Sequence, residues 1–266
     1  MRIGIIGCAG RMGRTLISEI LASEGLQMSG GLERPGSEYV GVDLGQLAAV
    51  DNIGITASDD LETFVSEADA IIDFTSPSST IACAEAVSRM GKIHIIGTTG
   101  LSEEHKEKLR EYAKKAVIVL SPNMSVGVNI LLALTEKAAA ILNDSYDIEI
   151  VEMHHNKKVD APSGTALALG TAAADGRNVN LNDVAKKSRD GQIGPREKGE
   201  IGFATLRGGD VVGDHTVMFA GPGERIELTH KASSRTIFAH GALMAAKWAK
   251  GKKHGLYSMK DVLGLK

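Results

Sequence analysis

The sequence lacks the marks of several protein classes. Only two of its 266 residues are cysteine, Cys8 and Cys83. Two cysteines in separate motifs make neither a disulfide framework nor a zinc site, and they fit a reducing cytoplasm. No stretch reaches the ~18 uninterrupted apolar residues of a membrane span. The opening Met1-Arg2-Ile3-Gly4-Ile5-Ile6-Gly7 is too short for the apolar segment of a secretory signal and runs directly into a glycine loop. A formal net charge of −3 offers no bulk attraction to nucleic acid or to an acidic membrane. Disorder as the main state is excluded as well, because hydrophobic residues make up 43% and charged residues 24%, both ordinary for a globular chain. Aromatics are scarce at 4%. Glycine is abundant, with 31 residues where average usage is ~7%.

What is present is an alternation of elements. At ~100–200 residues per domain, the length suits one large domain or two modest ones. Residues 2–6 form a short apolar run that ends in glycine and reads as a buried strand, and residues 11–22 carry Met12, Leu16, Ile20 and Leu21 at helical spacing. Further strands are predicted over 26–32, 53–56, 70–74, 92–97 and 117–120. Helices are predicted over 59–66, 78–90 and 102–116, with a loop rich in Gly and Asp over 35–52. This order implies βαβ units and a doubly wound parallel sheet of the Rossmann-like α/β class. After Pro122 the character changes. A long apolar helix over 126–142 is followed by strand-like segments at 147–154, 203–206, 216–219 and 225–230, separated by turns such as Gly208-Gly209 and Gly221-Pro222-Gly223. They imply a second, α+β domain with a mixed or antiparallel sheet. The polar stretch 189–200 predicts a mobile loop, and residues 235–249 predict a last helix.

The run Gly7-Cys8-Ala9-Gly10-Arg11-Met12-Gly13 joins the first strand to the first helix. Its glycines fall at i, i+3 and i+6, whereas the usual dinucleotide pattern has its second glycine where Ala9 stands. The physical roles survive this change. Gly7 permits a tight turn, Gly10 a close backbone approach, and Gly13 the packing of helix on strand, with a pyrophosphate at the helix N-terminus. A bare glycine triplet is weak evidence, but its position between strand and helix strengthens it. Glu33 stands about 20 residues further on, where an acid binds ribose hydroxyls. Arg34 beside it can pair with a 2′-phosphate, so both NADH and NADPH are admitted. The alternative is a solvated charged pair. Gly97-Thr98-Thr99-Gly100 ends another strand, and its hydroxyls can reach a nicotinamide amide or simply make a turn.

The densest chemistry lies at Glu152-Met153-His154-His155-Asn156-Lys157-Lys158-Val159-Asp160-Ala161-Pro162-Ser163-Gly164-Thr165-Ala166. The segment leaves a strand and enters a helix at Pro162 and Ser163. The Ser163-Gly164-Thr165 N–H groups make an anion site. Lys158 is a cation able to give a proton or pair with a carboxylate, and His154 and His155 suit substrate binding or proton transfer. Competing readings are a zinc site, a solvated lysine loop and a plain helix cap. No third ligand or HExxH spacing supports zinc. With no aromatic inside 154–165, recognition rests on charge and hydrogen bonds, which suits a small dicarboxylate.

This run, taken with 7–13, Glu33-Arg34, Asp73-Phe74-Thr75, Gly97-Thr98-Thr99-Gly100, Asn123-Met124-Ser125-Val126-Gly127-Val128-Asn129, Ile201-Gly202-Phe203-Ala204-Thr205 and Thr229-His230-Lys231-Ala232-Ser233-Ser234-Arg235, resembles the 4-hydroxy-tetrahydrodipicolinate reductase (dihydrodipicolinate reductase) family of the diaminopimelate route to lysine. The resemblance covers essentially the whole chain. It implies that His154 and Lys158 are catalytic and that His155, Ser163, Gly164 and Thr165 bind substrate. It implies a nicotinamide cofactor, NADPH or NADH, at Gly7, Cys8, Ala9, Gly10, Arg11, Met12, Glu33, Arg34, Gly97, Thr98, Thr99, Ser121, Pro122, Asn123 and Met124. It also implies a homotetramer joined through the second domain's sheet, with no metal, nucleic acid or membrane partner. Residues 1–125 with 235–266 would then be the dinucleotide-binding domain and 126–234 the substrate-binding and oligomerisation domain, with hinges near 121–127 and 233–235. Ser76 stands where some relatives carry an arginine, which leaves the NADPH preference open.

Two other classes fit less well. An NAD(P)-sensing regulator has no need of proton donors facing an anion site. An aspartate-semialdehyde dehydrogenase would want a nucleophilic cysteine in its second domain, and neither Cys8 nor Cys83 lies there; homoserine dehydrogenase is the related alternative.

Overall fold

The computed structural model describes residues 1–265. Its first segment opens with β1 (Arg2–Ile6) and α1 (Arg11–Leu21), then β2 (Gln27–Leu32), a short α2 (Leu44–Leu47), β3 (Ala57–Ser58) and α3 (Leu61–Glu67). There follow β4 (Ala70–Asp73), α4 (Pro77–Met90), β5 (Ile93–Ile96), α5 (Glu103–Tyr112) and β6 (Val117–Leu120). β1, β4, β5 and β6 read as apolar runs because both faces of the sheet are covered. Ile3, Ile5, Ile72, Ile95 and Val119 face one core cluster, and Ile6, Ile71, Ile96 and Ile118 face the other.

One element sits away from its expected place. The strand expected over 53–56 is instead β3, and Thr56 makes only an isolated bridge to Asp43. The cause is the buried Asp43 carboxylate. It accepts from the N–H groups of Gly45, Ile53 and Gly54 at 2.7, 3.1 and 2.8 Å. Those bonds hold 53–54 in a loop and away from the sheet ladder.

The second segment contains α6 (Val126–Ile141), β7 (Asp147–His154), α7 (Gly164–Gly176), α8 (Leu181–Val184), β8 (Ala185–Lys186), β9 (Ile201–Arg207), β10 (Gly213–Gly221) and β11 (Glu224–Ala232). Its five-stranded sheet runs β11-β10-β7-β9-β8. β10 is antiparallel to both neighbours, whereas β7, β9 and β8 are parallel to one another, so the sheet is mixed. β7 alternates strictly, with Ile148, Ile150, Glu152 and His154 buried. The two isoleucines join Leu169, Ala173, Phe203, Val217 and Phe219 in the core. The last two inward positions of β7 carry polar groups, Glu152 and His154. The stretch 189–200, predicted as a mobile loop, has no helix or strand and is tied to β7 by its arginines. Arg189 makes a bidentate pair with Glu149 at 2.8 and 2.8 Å, and Arg196 reaches Glu149 at 3.0 Å and Asp147 at 2.8 Å.

The chain ends with α9 (Thr236–Ala249), β12 (Gly255–Tyr257) and α10 (Met259–Leu263). β12 pairs in parallel with β6 and completes a seven-stranded sheet of order β12-β6-β5-β4-β1-β2-β3, parallel throughout. α9 buries Ala239, Ala242, Ala245 and Ala246 in the same cluster as α1. Small residues let it lie close, and at Gly241 a Cβ would collide with the Met124 carbonyl. The structure divides into two compact units. One is Met1–Val126 together with the chain from Arg235 onward, and the other is Gly127–Ser234.

Candidate functional site

In the first unit, the carboxyl ends of β1, β2, β4, β5 and β6 carry the expected nucleotide residues. Gly7 has φ +74°, the left-handed region that favours glycine. Its N–H donates to the Leu32 carbonyl at 2.7 Å, and its carbonyl accepts from Gly10 N–H at 3.0 Å. A Cβ at Gly13 would collide with the carbonyls of Gly7 and Cys8. Glycine is therefore required where the helix meets the loop. Gly10 caps α1 with no side-chain hydrogen bond, which leaves the first turn without an acceptor of its own, as an anion site requires. The Ala9 N–H donates to Glu33 Oε1 at 2.9 Å, which orients the acid against the loop. A cavity of about 470 Å³ is lined by Gly7, Glu33, Arg34, Thr75 and Ser76, among others. A second, of about 280 Å³, is lined by Arg11, Met12, Gly97, Pro122, Asn123 and Arg235, with Phe74 and Phe238 beside them. At Gly97 a side chain would strike the Phe74 ring. The donor set and the glycine cradle fit a dinucleotide.

Several expected contacts need correction at the level of the side chain. The Cys8 thiol points into the core, and burial, helped by Glu33, pushes it up to about 12. Only its backbone can serve a ligand. Thr98 is buried, and its hydroxyl accepts from Thr80 Oγ1 at 2.9 Å and donates to Asp73 Oδ1 at 3.1 Å. Its hydroxyl is thus engaged internally, while Thr99 is exposed. Asp73 also accepts from Thr75 N–H at 2.9 Å and lies 3.4 Å from His94 Nε2. Burial raises the Asp73 carboxyl, but His94, Thr75 and Thr80 outweigh it and hold the group below the usual range. Ser121 Oγ donates to the Asn123 carbonyl at 2.8 Å, and Met124 is fully buried. Both shape the loop, which leaves Pro122 and Asn123 as its accessible residues.

In the second unit the cluster forms at the join of β7 to α7. His154 ends β7, buried, with Nδ1 at 2.6 Å from Glu152 Oε2. Its ring packs edge-to-face with His215 at 5.0 Å between centroids. The loop that follows is anchored by His155 N–H to the Val211 carbonyl at 2.8 Å and by Asn156 N–H to Gly209 at 3.2 Å. Lys158 Nζ pairs with Asp160 Oδ1 at 2.8 Å. Ser163 departs from its expected role. It is buried, its N–H donates to Glu152 Oε1 at 2.9 Å, and its hydroxyl caps α7 at Ala166 N–H and meets His215 Nε2 at 3.0 Å. Ser163 is thus a structural cap, and the accessible start of α7 is Gly164 and Thr165. Burial lowers the His154 imidazole despite the opposing pull of Glu152, and it lowers His215 to about 4 with help from His154. Glu152 is raised by burial, but Arg207, His154 and the Ser163 N–H win and hold it low.

The local sequence gives no sign of Arg207 or His215 and assigns Glu152 no role. Arg207 forms a bidentate pair with Glu152 at 2.8 and 2.9 Å. The only local signal was the Glu-x-His alternation at the end of β7, which puts both side chains on one face. The partners come from β9 and β10, where register sets Arg207 beside His154 and His215 opposite Glu152. Among the described residues no group of three or more His, Cys, Asp or Glu is placed to hold a metal ion. None of their helices is long and apolar enough to cross a membrane.

Comparison with known proteins assigns the family. The model of the dihydrodipicolinate reductase N-terminus matches residues 1–124, and that of the C-terminus matches residues 127–263. A 4-hydroxy-tetrahydrodipicolinate reductase of Rhodopseudomonas palustris (strain HaA2) is 55% identical over 265 residues, spanning 100% of this chain and 98% of that protein. Another, from Roseobacter denitrificans, is 52% identical over 266 residues with the same coverage. In fold, the chain is similar to the dipicolinate-bound dihydrodipicolinate reductase of Paenisporosarcina sp. TG-14. The TM-score is 0.77 at 21% identity, over 97% of each chain. With both halves matched and relatives more than half identical along their full length, this chain belongs to the dihydrodipicolinate reductase family.

Proposed function

We propose that this chain catalyses the NAD(P)H-dependent reduction of 4-hydroxy-tetrahydrodipicolinate to tetrahydrodipicolinate, the step its relatives are named for, in the diaminopimelate route to lysine. The observation that carries this reading is the join of β7 to α7. One short stretch holds a buried imidazole, a lysine ammonium and an exposed helix start, as a small dicarboxylate requires. The Gly164 and Thr165 N–H groups and His155 hold the carboxylates. Lys158 supplies the proton that balances the reaction, in which the 4-hydroxyl leaves as water, and His154 stands beside it as the second catalytic group. Proton donation of this kind contributes about 10²–10⁴-fold.

The cofactor's place is the first unit. The N–H groups of Arg11 and Met12, at the start of α1, would receive the pyrophosphate, Glu33 the ribose hydroxyls and Arg34 a 2′-phosphate, while Gly97, Thr99, Pro122 and Asn123 would border the nicotinamide. Bound there, a dihydronicotinamide supplies hydride to carbon 4 of the substrate. Both NADH and NADPH fit this donor set. The assembly is a homotetramer formed through the second unit's sheet, where Leu206 and Ile226 are exposed, and the enzyme works in the cytoplasm.

The test is oxidation of NADPH and NADH by the purified chain with freshly generated 4-hydroxy-tetrahydrodipicolinate, with and without pyridine-2,6-dicarboxylate as a planar competitor. Substrate-dependent oxidation that the competitor suppresses is expected. No oxidation with either cofactor would overturn the reading. Sedimentation equilibrium gives the oligomeric state, and a monomer at all concentrations would overturn the tetramer.

A further inference from the structure

The buried Glu152 carboxylate receives two partners on each oxygen. Oε1 accepts from Arg207 Nη2 at 2.9 Å and from Ser163 N–H at 2.9 Å. Oε2 accepts from Arg207 Nη1 at 2.8 Å and meets His154 Nδ1 at 2.6 Å. An ionised carboxylate offers about four lone-pair positions and no proton. Three of these positions are taken by groups that can only donate. A neutral Glu152 would waste one of them, and the Arg207 fork opposes protonation directly. The proton in the fourth contact therefore belongs to His154 Nδ1.

We propose that Glu152 and Arg207 are positioning residues that lock His154 in its Nδ1–H tautomer and set the Lys158 loop and the start of α7 in the same frame. The proposal deepens, and rests on, the reading of His154 and Lys158 as the proton-handling groups of a reductase. Arg207 makes the second connection. Its Nη2 also donates to the Asp160 carbonyl at 2.6 Å, and the Asp160 carboxylate holds Lys158 Nζ at 2.8 Å. The third connection is the Ser163 N–H, at the cap of α7. One ion pair thus fixes the imidazole, the ammonium and the helix start that receives the carboxylates.

The tautomer has a chemical consequence. A neutral imidazole protonated at Nδ1 carries its lone pair at Nε2, so it accepts there and cannot donate. That leaves Lys158 as the proton donor, with His154 as an acceptor beside it. Gly213 keeps that edge of the ring uncovered, since a Cβ there would stand 2.9 Å from Nε2 and 3.3 Å from Cδ2. The groups facing His154 are Glu152 on β7, Arg207 on β9, His215 on β10 and Lys158 on the loop. Burial and the two cations outweigh Glu152 and favour the neutral ring.

The test uses the full chain and reads the tautomer directly. Long-range proton–nitrogen correlation spectra at neutral pH are expected to show His154 neutral, protonated at Nδ1 and bare at Nε2. In Glu152→Gln the amide supplies only one acceptor oxygen, so the Nδ1–H signature is lost or mixed with the other tautomer. kcat falls about 10²-fold, while KM for the cofactor is unchanged. Arg207→Lys keeps the charge but not the fork, and is expected to lose kcat by an intermediate factor. Protonation at Nε2 in the unaltered chain would overturn the proposal, even if Glu152→Gln fails to fold. So would a folded Glu152→Gln with the tautomer intact and kcat within twofold. Failure of the reductase reading appears separately, as an unaltered chain that shows the tautomer but turns over no substrate.

Discussion

The two units build their sites from opposite materials. The first makes a ligand cradle out of backbone, with Gly7, Gly10, Gly13 and Gly97 placed where a side chain would obstruct it. The second builds its proton-handling centre out of side chains, around a carboxylate whose acceptor positions are filled. A backbone site fails when atoms are added. A side-chain site fails when a charge or a proton is taken away. The physical reason lies in the ligands proposed for each. A pyrophosphate needs many weak N–H donors at close approach, whereas a proton transfer needs one group in one protonation state.

The strongest test of this contrast is Lys158→Ala. Turnover is expected to fall about 10²–10⁴-fold, with cofactor affinity in a fluorescence titration unaltered. Turnover near the unaltered level would remove Lys158 as the donor. The converse is Gly13→Ala. The added methyl meets the Gly7 and Cys8 carbonyls and is expected to cost about 1–3 kcal/mol, seen in chemical denaturation. It also weakens both cofactors alike.

The next test concerns pH. The His215 imidazole is lowered to about 4 by burial, whereas an unfolded histidine titrates near 6.5. The unfolded chain therefore binds more protons between those values, and stability contributed by the neutral ring is present above about 6.5 and lost as pH falls toward 4. Denaturation midpoints measured across this window should decline, by up to about 3 kcal/mol for this group. His215→Asn should flatten that part of the curve. The smallest effect is expected at Arg34, which is exposed. Arg34→Ala should raise KM for NADPH about tenfold, the worth of one charge-assisted contact, and leave KM for NADH unchanged. An equal loss of both cofactors would remove the 2′-phosphate role.

Local chemistry makes part of this molecule legible in the sequence. The strand, glycine loop and helix over residues 2–21 could be read because Gly7, Gly10 and Gly13 answer local backbone needs. The cluster around His154 and Lys158 could be read because its groups are close in sequence. Arg207 and His215 could not, since they arrive through strand register across β9 and β10, which no local pattern encodes. Thr98 misled for a related reason. A hydroxyl at a strand end can face ligand or core, and the buried Asp73 that turns it inward sits 25 residues away. β12 was missed because three residues at a sheet edge carry too little periodicity to read.

The late return of the chain has a consequence for synthesis. α9 covers one face of the parallel sheet, and β12 closes its edge beside β6, yet both follow all of the second unit. A ribosome releases them after the second unit. The second unit, continuous in sequence, is free to fold while it is being made, whereas the first must wait with an uncovered apolar face until α9 and β12 emerge. The order of birth and the order of completion are thus reversed, and the waiting half is the one that a chaperone would find.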